Sequence, residues 1–486
     1  MYDRLPSSVV PTMREKLDFL IPFHGKSDAY DFQPCSGRKA LRPYKKLCLT
    51  MVFKKLLLKA LFKVFQGVAI AIALLVFTTA LTGCQGRPSA SNMPPEVINL
   101  TLWQGVNPPL NRDVLQTLVD KFNQTHPKIQ VESLYVGQSD QQMPKILAAI
   151  VGNVPPDILW GAPMLTGQLI DLGGIVPLGE FLQRSSQRQD LDPALLDSMT
   201  YQNKIWSIPF GTNNVGLFYR PSLFAAAGIK DLPKTWTELR ATAKKLTQGN
   251  QKGILLPLGK GEWTVFTWLP FMWSGGGDLT KGNQATAKDV QVDNPGAIAA
   301  LEFWQDLIKD GSATLSAPER GFELDGFLAG KVAMQLTGPW TLGQLQGTKT
   351  DFGVMPIPTG QRAATSTGGE NLFIMKTTPE REAAAWQFAE YVLSAEFQTA
   401  WALGTGYLPV NLKSRQNPRY QEFITQQPAV KVFLDQAAYG RSRPIFSGYS
   451  RISDSLGRAI ESVLLGKSTP TAALKEAQKR LDLIFD

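Results

Sequence analysis

Tryptophan is the residue type that offers this 486-residue chain the clearest chemistry, and all 11 tryptophans follow Cys84. An indole face packs on apolar C–H surface while its N–H donates to oxygen. Such rings, with a few convergent polar groups, suit a small molecule that has apolar faces and a rim of hydroxyls. Trp103 and Trp160 end the first and third segments that read as strands. Crevices in α/β sheets form at those carboxyl ends, so both are candidate contacts, with burial in the core as the alternative. Trp236, Trp304, Trp386 and Trp401 sit on apolar helix faces, and packing is expected of them.

Catalytic patterns are missing after Cys84. There is no G-x-S-x-G elbow, no H-E-x-x-H and no further cysteine to act as a nucleophile. Gly466-Lys467-Ser468 lacks the upstream glycine of a phosphate loop, because Glu461 stands there. A two-carboxylate glycosidase stays open, since its acids need no fixed spacing. His126 is the one histidine after Cys84 and precedes Pro127 in a predicted turn. No metal site and no cofactor are expected, because clustered His, Cys or carboxylate ligands are lacking.

The net charge of +9 belongs to the leader. Of 50 basic and 41 acidic residues, 13 and 5 lie in residues 1–83, which leaves 37 and 36 beyond. A nearly neutral body argues against nucleic acid as a partner. The leader itself is patterned. Lys54, Lys55, Lys59 and Lys63 precede a charge-free apolar run from Val64 to Leu81, which closes on Thr82-Gly83-Cys84. That is the anatomy of an export signal, and its end resembles the lipobox of bacterial lipoproteins. The resemblance implies cleavage before Cys84, a lipid on that residue, and a domain exported but tethered to a membrane. A single transmembrane helix is the alternative. Met51 reads as a natural start, so residues 1–50 are expected to be a non-native or disordered extension. Residues 51–83 form the signal and 84–96 a flexible tether rich in Ser, Pro and Asn.

About 400 further residues suffice for more than one lobe. Ile98, Leu100 and Leu102 alternate as on a strand. Asn111 is placed to cap a helix whose apolar face is Val114, Leu115, Leu118, Val119 and Phe122. Ile129 to Val136 is a second strand, and Met143, Ile146, Leu147 and Ile150 share a second helix face. Asp157 to Trp160 is a third strand. This β-α-β-α-β order predicts a parallel sheet covered by helices. Thr235-Trp236-Thr237-Glu238 is a capping box, and Asn294-Pro295 opens another helix. Short strands follow at Val332–Leu336, Phe352–Ile357 and Leu372–Met375, and the C-terminal region reads as helical.

Three segments carry a family resemblance. The first is Gly216-Leu217-Phe218-Tyr219-Arg220-Pro221, running on to Pro233-Lys234-Thr235-Trp236. The second is Phe327-Leu328-Ala329-Gly330-Lys331-Val332-Ala333-Met334, ending in Thr337-Gly338-Pro339-Trp340. The third is Gly353-Val354-Met355-Pro356-Ile357-Pro358, then Gly368-Gly369-Glu370-Asn371, Trp386 and Thr405-Gly406-Tyr407-Leu408-Pro409. In order and spacing they resemble the family 1 extracellular solute-binding proteins of ATP-driven importers, over about Val97 to Ile484. None of the three is specific alone; together, behind a lipobox, they are.

The resemblance implies an α/β fold of two lobes, with a hinge and a ligand cleft between them. The expected division is 97–210 plus 333–360 for the first lobe and 215–330 plus 365–486 for the second. Crossings are expected near Pro209 to Val215, near Met334, and between Pro358 and Leu372. Trp340 matches a position where maltose-binding relatives stack a sugar ring. Glu262 to Trp268 resembles a cleft-lining segment, with Trp263 and Trp268 as its aromatic candidates. Gly369 belongs to a glycine loop that comes close to ligand. Glu370 is expected to accept hydroxyls or to pair with Arg443. Arg443 and Tyr449 lie in a ligand-proximal loop, and Asn214 lies at the first hinge. The implied function is capture of a sugar by lobe closure and its delivery to permease subunits, by a monomer on the outer face of a membrane. A polyol or glycerol phosphate is the alternative ligand. Converging Arg or Lys would favour an anion, and Arg443 is the one such residue the sequence offers.

Overall fold

A computed structural model describes residues 97–485, except 260, 282–285 and 317–323. The expected lipidation of Cys84, and the expectations for residues 1–96 as extension, signal and tether, lie outside the described residues. Two five-stranded sheets form the body. In the first, Ile98–Gln104 lies between Ile129–Tyr135 and Ile158–Gly161 and pairs with both in parallel. Asn371–Ile374 then adds antiparallel, followed by Ile208–Pro209. In the second, the order is Ala313–Leu315, Lys252–Leu256, Val332–Thr337, Gly216–Tyr219 and Gly353–Met355.

The β-α-β-α-β start holds as expected. Leu115, Leu118, Val119 and Phe122 are buried on the helix Pro109–Thr125, against Leu100, Leu102, Ile129 and Val131 of the sheet. That helix begins before Asn111, with Pro109 in its first turn. Asn111 is therefore no cap; it is fully buried inside the helix. The Thr235 capping box and the Asn294 cap form as read. The helix Pro379–Leu393 covers the first sheet. Its Arg381 donates through Nε and Nη2 to the Asp157 carboxylate, at 2.7 Å each. Such a fork on a buried acid ties helix to sheet in one geometry.

Strand pairing redraws the expected division. Val332–Thr337 and Gly353–Met355 both pair with Gly216–Tyr219, so 333–360 goes with the second sheet. All six residues Val332–Thr337 are buried, as a central strand requires, and the chain does not cross at Met334. Asn371–Ile374 and the helices Pro379–Leu393 and Ala395–Thr405 belong instead to the first core. The sheets are joined through a third, small one. Asn213–Asn214 pairs antiparallel with Thr365–Gly368, which pairs in parallel with Gly440–Arg441. Asn213–Asn214 and Thr365–Gly368 lie where the chain leaves one sheet for the other, while Gly440–Arg441 leads into the helix Tyr449–Leu464. These two crossings are where the sequence placed them, and the one expected at Met334 does not occur.

The second core is built around the helix Glu262–Ser274, whose residues Thr264 to Ser274 are all buried. A helix apolar on every side needs partners on every side. It finds them in Pro295–Lys309, Tyr449–Leu464 and the strand Thr365–Gly368. Among the described residues no helix is long and apolar enough to cross a membrane.

Candidate functional site

The small joining sheet sets the floor of a cleft of about 120 Å³. Side chains reach it from both sheets. From the first comes Trp160, at the carboxyl end of its strand. Its ring meets Phe210 edge-on, 6.4 Å between centroids, and its buried Nε1 has no hydrogen-bond partner. From the second come Trp263 and Phe266, three residues apart on one helix and so on one face. Trp340 joins them after the strand Val332–Thr337. Its ring lies 5.9 Å from Trp263, nearly perpendicular, and 6.5 Å from Phe266. Tyr407 enters from the loop behind Ala395–Thr405, which Gly406 turns off the helix with a left-handed φ of +81°.

The floor is backbone held very close. Gly369 has φ +110°, and a Cβ there would stand 2.1 Å from the carbonyl oxygen of Gly211. Only glycine fits. Phe210 N–H donates to the Glu370 carbonyl at 2.8 Å, and Thr212 Oγ1 donates to the Gly368 carbonyl at 3.2 Å. These bonds fix where the Glu370 side chain starts. Asn213 also lines the cleft, with its buried Oδ1 free of hydrogen bonds.

Two carboxylates and one cation face this space: Glu262, Glu370 and Arg443. Arg443 Nη1 donates to Glu262 Oε1 at 2.5 Å, and its guanidinium lies 4.3 Å from the Phe266 ring centroid. Glu262 also accepts from Tyr449 Oη at 3.0 Å and Ser453 Oγ at 2.5 Å. Glu370 has no such support. Tyr407 Oη donates to its Oε2 at a long 3.4 Å. Burial pushes the Glu370 carboxyl up to about 7, against the pull of Arg443 and Tyr407. Burial likewise raises the Tyr407 hydroxyl well above its ordinary value, and the Glu370 charge adds to that.

Of the expected contacts, Trp160, Trp263, Trp340, Gly369, Glu370 and Arg443 come together here. Four do not. Trp268 is fully buried in the second core, because five residues along a helix turn it about 140° from Trp263. Trp103 packs on a separate cluster around Leu159 and Phe373. Asn214 is buried, and its amide is used up: Nδ2 donates to the Phe433 carbonyl at 2.8 Å, and Oδ1 accepts from Gln436 Nε2 at 3.1 Å. Neighbouring strand residues point to opposite faces, so Asn213 has the cleft position instead. Tyr449 is buried behind Glu262 and holds it from the side.

The sequence reading missed Asn213, Phe266 and Tyr407. Phe266 was findable from its three-residue spacing to Trp263. Tyr407 stood in a recognised motif, though nothing in that motif says which way its ring points. The four tryptophans assigned to packing do pack: Trp304 and Trp401 are fully buried, Trp386 nearly so, and Trp236 stacks on Phe303 at 5.1 Å. His126, placed by the sequence in a turn, stacks on Phe122 at 4.1 Å. Among the described residues no cluster of three metal-ligating side chains occurs.

The profile of a family described as bacterial extracellular solute-binding protein matches residues 117–431. A chain of Brucella abortus (strain 2308), whose name specifies only a binding protein, is 28% identical over 304 residues, 61% of this chain and 70% of that one. The sn-glycerol-3-phosphate-binding periplasmic protein of Yersinia pseudotuberculosis (strain IP32953) is 25% identical over 415 residues, 80% of this chain and 92% of its own. Among solved structures, the maltose-bound MalE3 of T. maritima aligns with a TM-score of 0.72 at 24% identity, covering 80% of this chain and all of that one.

Proposed function

The chain belongs to the bacterial extracellular solute-binding proteins, and from that footing we propose that it captures a disaccharide or oligosaccharide for an ATP-driven importer. The observation that carries this is the aromatic cleft. Trp160 comes from one lobe, Trp263 and Trp340 from the other, and polar side chains that include Asn107, Gln138, Asn213 and Glu370 line the space between them. Indole faces match the apolar faces of a pyranose, and the spare groups on Trp160, Asn213 and Glu370 match its hydroxyls. The likeness to a maltose-bound protein points the same way. The glycerol-phosphate-binding relative supports a polyol or its phosphate as the second reading.

A volume of 120 Å³ lies below the 300–1,000 Å³ common for ligand pockets. A disaccharide therefore enters an opened cleft and draws the lobes together by contacts with both. The closed form is what a permease recognises. Cys84 carries the lipid that keeps this monomer on the outer face of the membrane. No catalytic role is assigned to the two carboxylates.

A thermal-shift panel of mono-, di- and trisaccharides, polyols and glycerol phosphates on the purified chain tests the reading. Ligand at 100 times its Kd adds about 2.7 kcal/mol, so one sugar class should raise Tm by several degrees. A flat response from folded protein sinks the sugar reading. The anchor is tested separately: Cys84→Ala should leave the leader uncleaved and unlipidated, and normal processing of that variant sinks the lipoprotein reading.

A further inference from the structure

We propose that Tyr135 and Arg112 form an outer subsite beside the cleft, which seats a further sugar unit and makes the preferred ligand an oligosaccharide of three or more units. This rests on the reading of the cleft as a sugar site, and it names the length of chain that the site takes.

The first support is strand register. Tyr135 pairs with Gln104, and Leu159 with Trp103, so Tyr135, Gln104 and Trp160 form one row across three parallel strands at their carboxyl ends. Binding crevices form at such ends. Residues of one row point to the same face of the sheet, here the face covered by the helix Pro109–Thr125. Tyr135 and Trp160 are two strand spacings apart, about 10 Å, which is more than one pyranose ring spans. Inward-turned or absent side chains fill the stretch between them. Gln104 is buried, and its Oε1 accepts from Val106 N–H at 2.8 Å. Gly105 and Gly137 meet backbone to backbone, since a Cβ on Gly105 would lie 2.3 Å from the Gly137 carbonyl oxygen. The cleft residues Asn107 and Gln138 flank this stretch, and Gln138 is three residues along the chain from Tyr135.

The second support is the chemistry of the pair. Tyr135 is 45% exposed. The Arg112 guanidinium lies 4.2 Å from its ring centroid, a cation–π contact that holds ring and cation together. Neither side chain has a hydrogen bond or ion pair with another described residue. The Tyr135 hydroxyl and the Arg112 N–H groups are therefore open to a ligand. An aromatic ring edged with such donors suits a pyranose, whose hydroxyls accept as well as donate. The turn of helix that carries Arg112 also borders the cleft, because Asn111 beside it donates to the Trp340 carbonyl at 3.2 Å. A sugar chain seated between Trp160 and Trp340 can thus run on past Asn107 and Gln138 to Tyr135.

Calorimetric titration of maltose, isomaltose, cellobiose and their tri- and tetrasaccharide homologues into the wild type, Tyr135→Ala, Arg112→Ala and Trp340→Ala tests the inference, with circular dichroism to confirm folding. In a series that binds, the wild type should gain about 3- to 10-fold in affinity beyond the disaccharide, the scale of one aromatic contact. Tyr135→Ala should abolish that gain and Arg112→Ala should reduce it, whereas Trp340→Ala should weaken every length alike. A wild type that binds the disaccharide as tightly as its longer homologues overturns the outer subsite and leaves the sugar reading standing, a result that needs no variant to fold. A length gain that survives intact in folded Tyr135→Ala does the same. No binding in any series by the folded wild type overturns the outer subsite together with the sugar reading it rests on.

Discussion

Asn111 Nδ2 donates to the backbone carbonyl of Trp340 at 3.2 Å, across 229 residues of chain. It joins the first helix of one lobe to the segment that delivers a cleft aromatic from the other. Asn111 is fully buried, so this bond is made away from competing water. Asn111→Ala leaves the carbonyl without that donor, at a cost of about 1–3 kcal/mol. The bond links the two lobes, so the loss should fall on ligand closure. We expect sugar affinity to drop by about 5- to 10-fold in calorimetry, with each lobe still folded. Unaltered affinity would show that the contact does not contribute to closure.

Trp263 and Trp268 share one helix and separate ligand contact from packing. Trp268→Ala empties a fully buried site and should cost about 3–5 kcal/mol in urea unfolding. Trp263 is only half-buried and faces the cleft. Trp263→Ala should instead weaken sugar binding by about tenfold or more, on the scale of a buried aromatic contact, with a much smaller loss of stability. Equal stability losses in the two variants would contradict this assignment. Trp340→Ala should follow Trp263→Ala.

Gly369→Ala tests the floor. The new Cβ would meet the Gly211 carbonyl oxygen at 2.1 Å, in a backbone conformation that costs an alanine about 1–3 kcal/mol by itself. Gly173 is the control. It has a φ of +62° with nothing within 4 Å of its Cβ position, so Gly173→Ala carries the conformational cost without the clash. Urea unfolding should show Gly369→Ala to be clearly the more damaging, and it should also lose ligand affinity. Similar costs for both would mean that the close approach of backbones at the floor does not matter.

The elements were legible in the sequence where one periodicity ran long enough. The face Leu115, Leu118, Val119 and Phe122 and the Thr235 capping box are examples. Sheet membership was not. Val332–Thr337 reads as a buried strand in either lobe, and only its pairing with Gly216–Tyr219 decides which. Asn213–Asn214 is a two-residue strand, too short to carry a pattern, yet it makes one of the two crossings between the sheets. At the site, residue types were readable but directions were not. Trp268 and Trp263 looked alike until the helix turned one inward. Asn214 and Asn213 were separated only by strand alternation. The role of Tyr449 depends on Glu262, 187 residues away.

Glu370 should leave a signature in the pH dependence of stability. Its carboxyl is raised from the ordinary 4.5 to about 7, first by burial, with Arg443 and Tyr407 opposing. Glu262 lines the same cleft and accepts from Arg443. Between about pH 4.5 and 7 the folded chain holds a proton here that the unfolded chain has released. Stability must then fall as pH rises through this window. The contribution is present in full below about 4.5 and is lost above about 7. Glu370→Gln keeps the protonated form's shape without its titration. Its Tm should therefore fall less than the wild type's between pH 5 and pH 8, and it should exceed the wild type's at pH 8. Parallel Tm curves for the two proteins across that range would mean that Glu370 titrates as an ordinary, solvated carboxylate.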